Sequence, residues 1–328
     1  MDARSRTVSG MRPTGPLHLG HYFGVLKNWI ALQESSHAYF FVADWHALTS
    51  DFADTSALRR NIAEMVKDWA GAGLDPEKCV IFRQSAVKEH GELSLLLSMI
   101  TPVPWLTRNP AYKEQQQQIS NKDLGNAGFL CYPVLMAADI LVYKPRDVPV
   151  GEDQLPHLEL TREIARRFNA FYGETFPEPR ALLTPAAKCP GLDGRKMSKS
   201  YGNGIFLSDS FVDIETKVRG MFTDQARMRR SDPGNPDVCN LFPYHVLLTE
   251  ASIREDIRQG CTTAVLGCVD CKKIFLTGLR VFLAPLQERR AALERCQGAV
   301  EDILAAGNER ARAFAGGTLA QVREKMGL

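Results

Sequence analysis

Short runs of β-branched and aromatic residues alternate with amphipathic stretches in the first half of the chain. The runs are typical of strands and lie at Arg6–Met11, Ala38–Asp44 and Cys79–Ser85. Between them, apolar residues recur at spacings of three and four, which predicts helices near His21–Leu32, Ser56–Ala72 and His90–Met99. This alternation predicts an α/β fold with a parallel sheet, in which ligands bind beyond the carboxyl ends of the strands.

The pattern changes further along the chain. Residues 104–128 are polar and glutamine-rich, which indicates an insertion, and an apolar run at 129–143 and a helix near Gln154–Phe171 follow. From about Leu207, strand patterns disappear and helices with Arg/Lys-rich faces dominate. The chain is therefore predicted to form an α/β domain over residues 1–205 and an all-α domain over residues 206–328.

Composition narrows the class of protein. The 328 residues carry 40 Lys and Arg against 38 Asp and Glu, so any nucleic-acid contact depends on a local patch and not on a global basic field. No apolar stretch reaches the length of a membrane helix and no signal peptide is apparent, so we expect a cytoplasmic protein. Eight cysteines in that compartment are not expected to pair as disulfides.

A glycine- and proline-rich turn follows the first strand as RPTGPLHLGHYFG, residues 12–24. Free N–H groups at the start of the next helix favour a bound phosphate. His18 and His21 lie three positions apart, so both can donate to one phosphate group. A helix start with two surface histidines and, less well supported, a zinc pair are the alternatives.

A second cationic motif lies far downstream. Lys196 and Lys199, in Lys196–Met197–Ser198–Lys199–Ser200, can converge on one polyanion, and the adjacent serines add hydroxyl donors. A mobile cationic loop suits charge that develops in a transition state. Taken alone, the segment can equally be a solvated basic loop.

Together, HLGH after the first strand and KMSKS after the last resemble the two motifs of class I aminoacyl-tRNA synthetases. The segments CYPVLMAADILVYK (131–144), VPVGEDQLPHLELTREIARRFN (148–169) and TDQARMRRSDPGNPDVC (223–239) resemble the tryptophanyl branch. The resemblance implies a Rossmann-like catalytic domain with a helical tRNA anticodon-binding domain, and a homodimer. It implies ATP, Mg²⁺, L-tryptophan and tRNA(Trp) as reactants and partners, and the tryptophan–tRNA ligase reaction.

The resemblance also implies site residues. Catalysis would come from positioning and from cationic stabilisation by His18, His21, Lys196 and Lys199. The residues expected at ATP are Arg12, Pro13, Thr14, Gly20, His21, Gly151, Glu152, Asp153, Cys189, Lys196, Met197, Ser198, Lys199 and Ser200. The chain departs from the commonest bacterial pattern, because Arg12 and Thr14 replace Gln and Ser and because HLGH replaces a Thr-and-Asn version.

Asp139 is a carboxylate within an apolar run, where an unpaired charge is costly. An indole N–H would supply the donor that it needs, and the resemblance makes Asp139 the residue that recognises tryptophan. An N-terminal cap or a buried salt bridge is the alternative. The expected pocket neighbours are Tyr132, Met136, His46 and Gln154, the last turned toward the ammonium group.

Four cysteines form the pattern C-x21-C-x6-C-x2-C, at Cys239, Cys261, Cys268 and Cys271. Four thiolates suit structural zinc or an iron–sulfur cluster, and the wide spacing favours iron. A branch of bacterial tryptophanyl-tRNA synthetases that this spacing resembles carries a [4Fe–4S] cluster there. Core cysteines without metal are the remaining alternative.

Two further hypotheses stay open. A tyrosyl-tRNA synthetase would share both motifs, although GEDQ and the four cysteines speak against it. A non-catalytic RNA-binding or redox-regulatory paralogue would not need the histidines and lysines. Arg227, Arg229 and Arg230 are expected to face the anticodon stem, with a solvated surface as the alternative.

Overall fold

The computed structural model describes residues 5–110, 112–114, 124–183, 189–199 and 201–328. Within them lies a sheet of five parallel strands in the order β3-β2-β1-β4-β5. The strands are β1 (Arg6–Met11), β2 (His37–Val42), β3 (Val80–Arg83), β4 (Asp147–Val150) and β5 (Arg180–Leu183). The chain adds strands on one side of β1 and then on the other, so the carboxyl ends of β1 and β4 flank the crevice in which such sheets bind ligands.

Helices cover both faces of the sheet. They are α1 (Leu19–His21), α2 (Lys27–Ser35), α3 (Asp44–Asp51), α4 (Leu58–Ala72), α5 (Glu89–Ile100), α6 (Val103–Thr107), α7 (Ala127–Leu141), α8 (Leu155–Tyr172), α9 (Phe211–Gly220), α10 (Phe242–Leu248), α11 (Ala251–Thr262), α12 (Cys268–Arg295) and α13 (Ala299–Met326). A π-helical turn joins α1 to α2 at Tyr22–Leu26, and 3₁₀ turns lie at Gln84–Ala86 and Glu152–Gln154. In the described ranges, we find no helix with both the length and the apolar character to cross a membrane.

The predicted α/β class with a helical C-terminal region is confirmed. The first three predicted strands match β1, β2 and β3 to within two residues at either end. Strand β5 was not predicted, because its four residues RALL lie between prolines and lack alternation. It is an edge strand whose side chains are mostly exposed, so its sequence lacks the apolar pattern that burial produces in other strands.

Two apolar cores hold the layers together, one on each face of the sheet. On one face, Trp29 of α2 stacks on Phe40 of β2 at 4.4 Å between ring centroids and meets Trp69 of α4 edge-on at 5.2 Å. All three side chains are fully buried. Burying each large apolar side chain contributes about 1.5–3 kcal/mol to the free energy of unfolding, so these three side chains stabilise that face of the sheet strongly.

The last helix, α13, packs on β3 and covers that edge of the sheet. A Cβ at Gly307 would overlap the carbonyl of Ile81, so only glycine lets the helix approach this closely. Asn308 Oδ1 accepts the N–H of Arg83 at 2.9 Å and satisfies an edge donor. The C-terminal helix therefore completes the sheet of the N-terminal half, while the domain boundary at residues 205 and 206 stays a prediction.

Candidate active site

Two joined cavities lie at the carboxyl ends of β1 and β4. The inner cavity has a volume of about 370 Å³ and is lined by both strand ends and by α7. The outer cavity, of about 1120 Å³, is lined by the turn after β1 and by residues 189–190 and 194–199. Arg12, His21 and Val25 line both, so the two cavities meet at these residues. This is the location that the sheet topology predicts for a ligand.

The turn after β1 forms one wall of the outer cavity. Gly15 has a φ of +120°, a conformation that other residues rarely adopt. Leu17 N–H donates to the buried carboxylate of Asp68 at 3.0 Å, and Asp68 also pairs with Arg290 of α12. Leu19 N–H then donates to the carbonyl of Ile205 at 3.0 Å. Long-range contacts therefore fix the backbone on both sides of His18.

The two histidines lie against each other, with ring centroids 3.8 Å apart. Burial, together with the charge of Lys199, lowers the pKa of His18 to about 4. Burial and then the charges of His18 and Lys199 lower the pKa of His21 to about 2. Both imidazoles are therefore neutral near pH 7, which differs from the cationic role expected of them. They remain hydrogen-bond donors, and His18 Nδ1 is buried without a partner in the described part of the chain.

The lysine motif forms the facing wall and is ordered by Asn203. The Asn203 amide donates to Asp193 Oδ1 at 2.7 Å and accepts from Ser198 N–H at 2.8 Å. Lys199 Nζ donates to the carbonyl of Gly15 at 2.8 Å and to Thr14 Oγ1 at 3.2 Å. The lysine loop is therefore folded onto the turn that carries the histidines, which brings the two predicted motifs together.

Most of the residues expected at ATP line the outer cavity. Burial raises the pKa of the Cys189 thiol there to about 12, so that side chain is uncharged. Glu152 and Asp153 are exposed on a 3₁₀ turn and line neither cavity, and Gly151 lines the inner one. Ser200 lies outside the described residues. The expected residues that line the outer cavity are Arg12, Pro13, Thr14, His18, Gly20, His21, Cys189, Lys196, Met197, Ser198 and Lys199.

The inner cavity has an apolar lining with few polar groups. All five side chains predicted for it are present, namely Asp139, Tyr132, Met136, His46 and Gln154. The Tyr132 hydroxyl bonds to His157 Nε2 at 3.0 Å, and Gln154 Nε2 donates to Asp153 Oδ2 at 2.8 Å. Its other lining side chains include Phe41, Phe129, Ile140, Val148 and Val150. A flat apolar group with one or two polar atoms would suit this lining.

Asp139 is the buried centre of a hydrogen-bond network. Gln84 Nε2 lies 2.9 Å from Oδ1 and 2.8 Å from Oδ2 of its carboxylate. His90 Nδ1 lies 2.7 Å from Oδ1, and His46 Nε2 lies 2.7 Å from Oδ2. Burial raises the pKa of Asp139, but the hydrogen bonds from the two histidines outweigh it, and the net shift is downward. The carboxylate is therefore charged at neutral pH.

This network refines the sequence-based interpretation of Asp139. Its acceptor positions, about four on a carboxylate, already have protein donors. Of these donors only His46 lines the inner cavity, and its side chain is 13% exposed. An incoming N–H would therefore take the place of His46 at Oδ2. Sequence analysis missed Gln84 and His90, although Gln84 follows directly after β3, where the strand-end rule places functional residues.

Cys239, Cys261, Cys268 and Cys271, the four cysteines of the predicted metal pattern, lie in one neighbourhood. Arg227 Nη1 lies 3.8 Å from Cys268 Sγ and 4.0 Å from Cys261 Sγ. Burial, and repulsion from Cys239, Cys261 and Cys268, raise the pKa of Cys271 to about 12. Among the residues described, no three His, Cys, Asp or Glu side chains are arranged around one point as a single metal ion requires. The predicted cluster therefore stays a prediction.

Arg227, expected at the anticodon stem with a solvated surface as the alternative, is half-buried. Its guanidinium donates to the carbonyls of Leu266, at 3.0 Å, and Arg230, at 2.8 Å, beside the cysteine group. Arg229 and Arg230 are exposed. Of the three arginines, these two remain candidates for contact with a polyanion.

Residues 1–283 match the protein family described as tRNA synthetases class I (W and Y). A tryptophan–tRNA ligase of Thermotoga maritima is 52% identical over 326 residues, which cover 98% of this chain and 99% of that protein. One from Aquifex aeolicus is 44% identical over 393 residues, covering 98% of this chain and all of that protein.

A solved structure has a similar fold. The tryptophanyl-tRNA synthetase of Campylobacter jejuni, complexed with ADP and tryptophan, superposes with a TM-score of 0.90 at 33% identity. The match covers 98% of this chain and 100% of that one. The similarity therefore extends over both cavities and the helical C-terminal region.

Proposed function

The chain belongs to the class I tRNA synthetases for tryptophan and tyrosine, and we propose that its inner cavity binds tryptophan while its outer cavity binds ATP. It is a tryptophan–tRNA ligase. The tryptophan carboxylate attacks the α-phosphorus of ATP in line. A bond forms between a carboxylate oxygen and the α-phosphorus as the bond from the α-phosphorus to the bridging oxygen of the β-phosphate breaks, which gives tryptophanyl-adenylate and pyrophosphate. The terminal ribose hydroxyl of the tRNA then attacks the carbonyl carbon of the adenylate, its oxygen forms the ester bond to the tryptophanyl group, and the bond to the phosphate oxygen breaks to release AMP and the hydroxyl proton.

The neutral histidines and the charged lysines have different roles at the phosphates of ATP. His18 and His21 donate N–H bonds, and Lys196 and Lys199 supply positive charge to the leaving pyrophosphate. Because nitrogen donors are poor ligands for Mg²⁺, the phosphate oxygens of ATP would hold that ion. Positioning across the junction at Arg12 and His21 then brings the tryptophan carboxylate to the α-phosphate.

Asp139 supports tryptophan as the amino acid. The indole N–H would bond Asp139 Oδ2 in place of His46, while Phe129 and Met136 pack on the ring. An amino acid without this N–H would leave His46 in place and gain no bond to the carboxylate, so the site favours tryptophan over it. Gln154 also lines this cavity, and its side-chain oxygen would accept from the ammonium group.

One observation carries the residue assignment: Lys199 Nζ contacts Gly15 and Thr14, so the lysine motif and the histidine motif line the same outer cavity, next to the apolar inner cavity. The test is amino-acid-dependent ATP–pyrophosphate exchange with tryptophan and tyrosine in parallel. We expect exchange with tryptophan alone. Exchange with tyrosine would reassign Asp139 to a phenol, and no exchange with either would favour a binding paralogue.

We further propose that Cys239, Cys261, Cys268 and Cys271 hold a [4Fe–4S] cluster. The proximity of the four thiols supports four sulfur ligands, and the cationic Arg227 beside Cys261 and Cys268 would favour the thiolate form that a cluster binds. A tetrahedral zinc on the same four thiolates, with each sulfur about 2.3 Å from the metal, is the alternative. A bound cluster would supply a rigid cross-link between the helices and a one-electron redox centre.

Anaerobic purification followed by metal analysis tests this proposal. We expect iron and acid-labile sulfide in equal amounts, with a broad visible absorption that Cys268→Ser abolishes. Cys296→Ser is the matched control, since that cysteine is exposed and outside the group. Zinc without sulfide, or neither, would contradict the cluster.

The remaining assignments concern partners and organisation. We propose that residues 206–328 bind the anticodon region of tRNA(Trp), with Arg229 and Arg230 as exposed cations at that surface. We also propose that the enzyme is a homodimer and acts in the cytoplasm. Their support is the family membership of the chain.

A further inference from the structure

Gln84 lies behind the inner cavity, directly after β3, and its side chain is fully buried. Its Nε2 donates to both oxygens of Asp139. Its Oε1 accepts the backbone N–H of Trp45 at 3.1 Å and that of His46 at 3.4 Å. A single side-chain amide therefore ties the carboxylate of α7 to the first turn of α3, the helix that carries His46.

His90 holds the same carboxylate from the opposite side. Because a charged carboxylate only accepts hydrogen bonds, His90 Nδ1 must carry the proton that it shares with Asp139 Oδ1. Its Nε2 then accepts from the Tyr143 hydroxyl at 2.8 Å. His90 and Tyr143 are fully buried, so Oδ1 stays occupied while Oδ2 faces His46 and the cavity.

We propose that Gln84 is a positioning residue that determines specificity for tryptophan. This inference rests on the proposed bond between Asp139 and the indole N–H. Gln84 orients Oδ2, which would accept that N–H, and through the backbone of His46 it also fixes the donor that the indole displaces. It does not line the cavity, so it acts only through these two residues.

Gln84→Met tests the inference, because methionine keeps the volume and removes every polar contact of the amide. The two ligands are tryptophan and 3-benzothienylalanine, in which sulfur replaces the indole N–H. We expect the KM for tryptophan in pyrophosphate exchange to rise about 10- to 100-fold, as for the loss of a hydrogen bond to a charged group. The KM values for the thienyl analogue and for ATP should stay unchanged.

Gln33→Met is the matched control. Gln33 is also a buried glutamine that joins two backbone groups, donating to Gly73 O at 3.0 Å and accepting from Asp75 N–H at 2.9 Å. It lines neither cavity. We expect this control to lower the thermal unfolding midpoint and to leave the preference for tryptophan over the analogue intact.

The possible outcomes separate cleanly. Equal weakening of tryptophan and analogue in Gln84→Met would overturn the inference, because Gln84 would then only maintain the shape of the cavity. Unchanged binding of both would overturn it as well. If Gln84→Met does not fold, Gln84→Asn retracts the amide by one methylene and should give the same selective loss.

Asp139→Asn, measured with the same two ligands, tests the premise that the indole N–H bonds to Asp139. If it retains the preference, the proposed indole contact is wrong. If Asp139→Asn loses the preference for tryptophan and Gln84→Met retains it, the indole contact stands and the role inferred for Gln84 is wrong.

Discussion

Replacing Lys199 by alanine should reduce kcat for tryptophan-dependent pyrophosphate exchange by about 10²–10³-fold, the usual effect of removing one preorganised electrostatic contact to a transition state. Lys199 is the residue through which the lysine loop contacts the turn that carries His18 and His21. The substitution therefore removes a positive charge at the phosphates and also removes the contact between the two walls of the outer cavity. Tryptophan binding, measured by equilibrium dialysis without ATP, should be unchanged, because Lys199 does not line the inner cavity.

Arg195→Ala is the matched control for Lys199→Ala. Arg195 lies in the same loop, but Asp193 pairs with it and its side chain is 60% exposed. Its loss should change kcat by less than about threefold, as expected for an exposed ion pair. A large effect of Arg195→Ala, or a small one of Lys199→Ala, would assign the phosphate charge to a different residue.

The pH dependence provides a second check on Lys199. Burial, with a smaller contribution from the charge of Arg12, lowers the pKa of Lys199 to about 8 although Asp68 opposes the shift. Only the protonated amine attracts phosphate, so kcat/KM for ATP in the unmodified enzyme should fall as pH rises through about 8. Lys199→Arg should move this fall to higher pH, since a guanidinium stays protonated. A profile that stays flat across pH 8 would argue against a charged Lys199.

The parts of the site that could be predicted from sequence are those that follow local rules. A strand that ends in a glycine-rich turn predicted a ligand-binding wall at Arg12–His21, and an acidic residue in an apolar run predicted that Asp139 needs a hydrogen-bond donor. The role of Asp139 in tryptophan recognition was implied by the family resemblance. Both rules use only neighbouring residues and the topology of a parallel sheet. The structure brings these two segments to the same sheet edge, as the alternation of strands and helices requires.

The parts that could not be predicted depend on contacts between distant segments. Gln84 meets Asp139 across 55 positions, and Asp68 receives Arg290 across 222. The sequence around Gln84 and around Arg290 contains no pattern from which the residue that each one contacts could be identified. The covering of β3 by α13 was missed for the same reason, because Gly307 and Asn308 look like ordinary helix residues until the sheet lies against them.

Asp139→Asn should reduce kcat/KM for tryptophan by about 10²–10³-fold, since it removes a buried charge from a network of donors. The new amide would have to direct an N–H group at Gln84 Nε2 or at one of the histidines, all of which already donate. The indole N–H would lose its charged acceptor, whereas 3-benzothienylalanine has no such bond to lose. The preference for tryptophan over the analogue should therefore collapse, and the KM for ATP should not change.

Asp44→Asn distinguishes this effect from simple loss of stability. Asp44 is also a buried carboxylate at a strand end, where it accepts the N–H of Trp45 at 3.1 Å and that of Ser85 at 3.0 Å, but it lines neither cavity. Asparagine at this position keeps one acceptor oxygen, so the unfolding midpoint should fall while the preference for tryptophan persists. Loss of preference in both variants would mean that any disturbance at this sheet edge deforms the cavity. Loss in Asp139→Asn alone would place recognition in the charge of that carboxylate, because the two substitutions are chemically identical and only Asp139 lines the inner cavity.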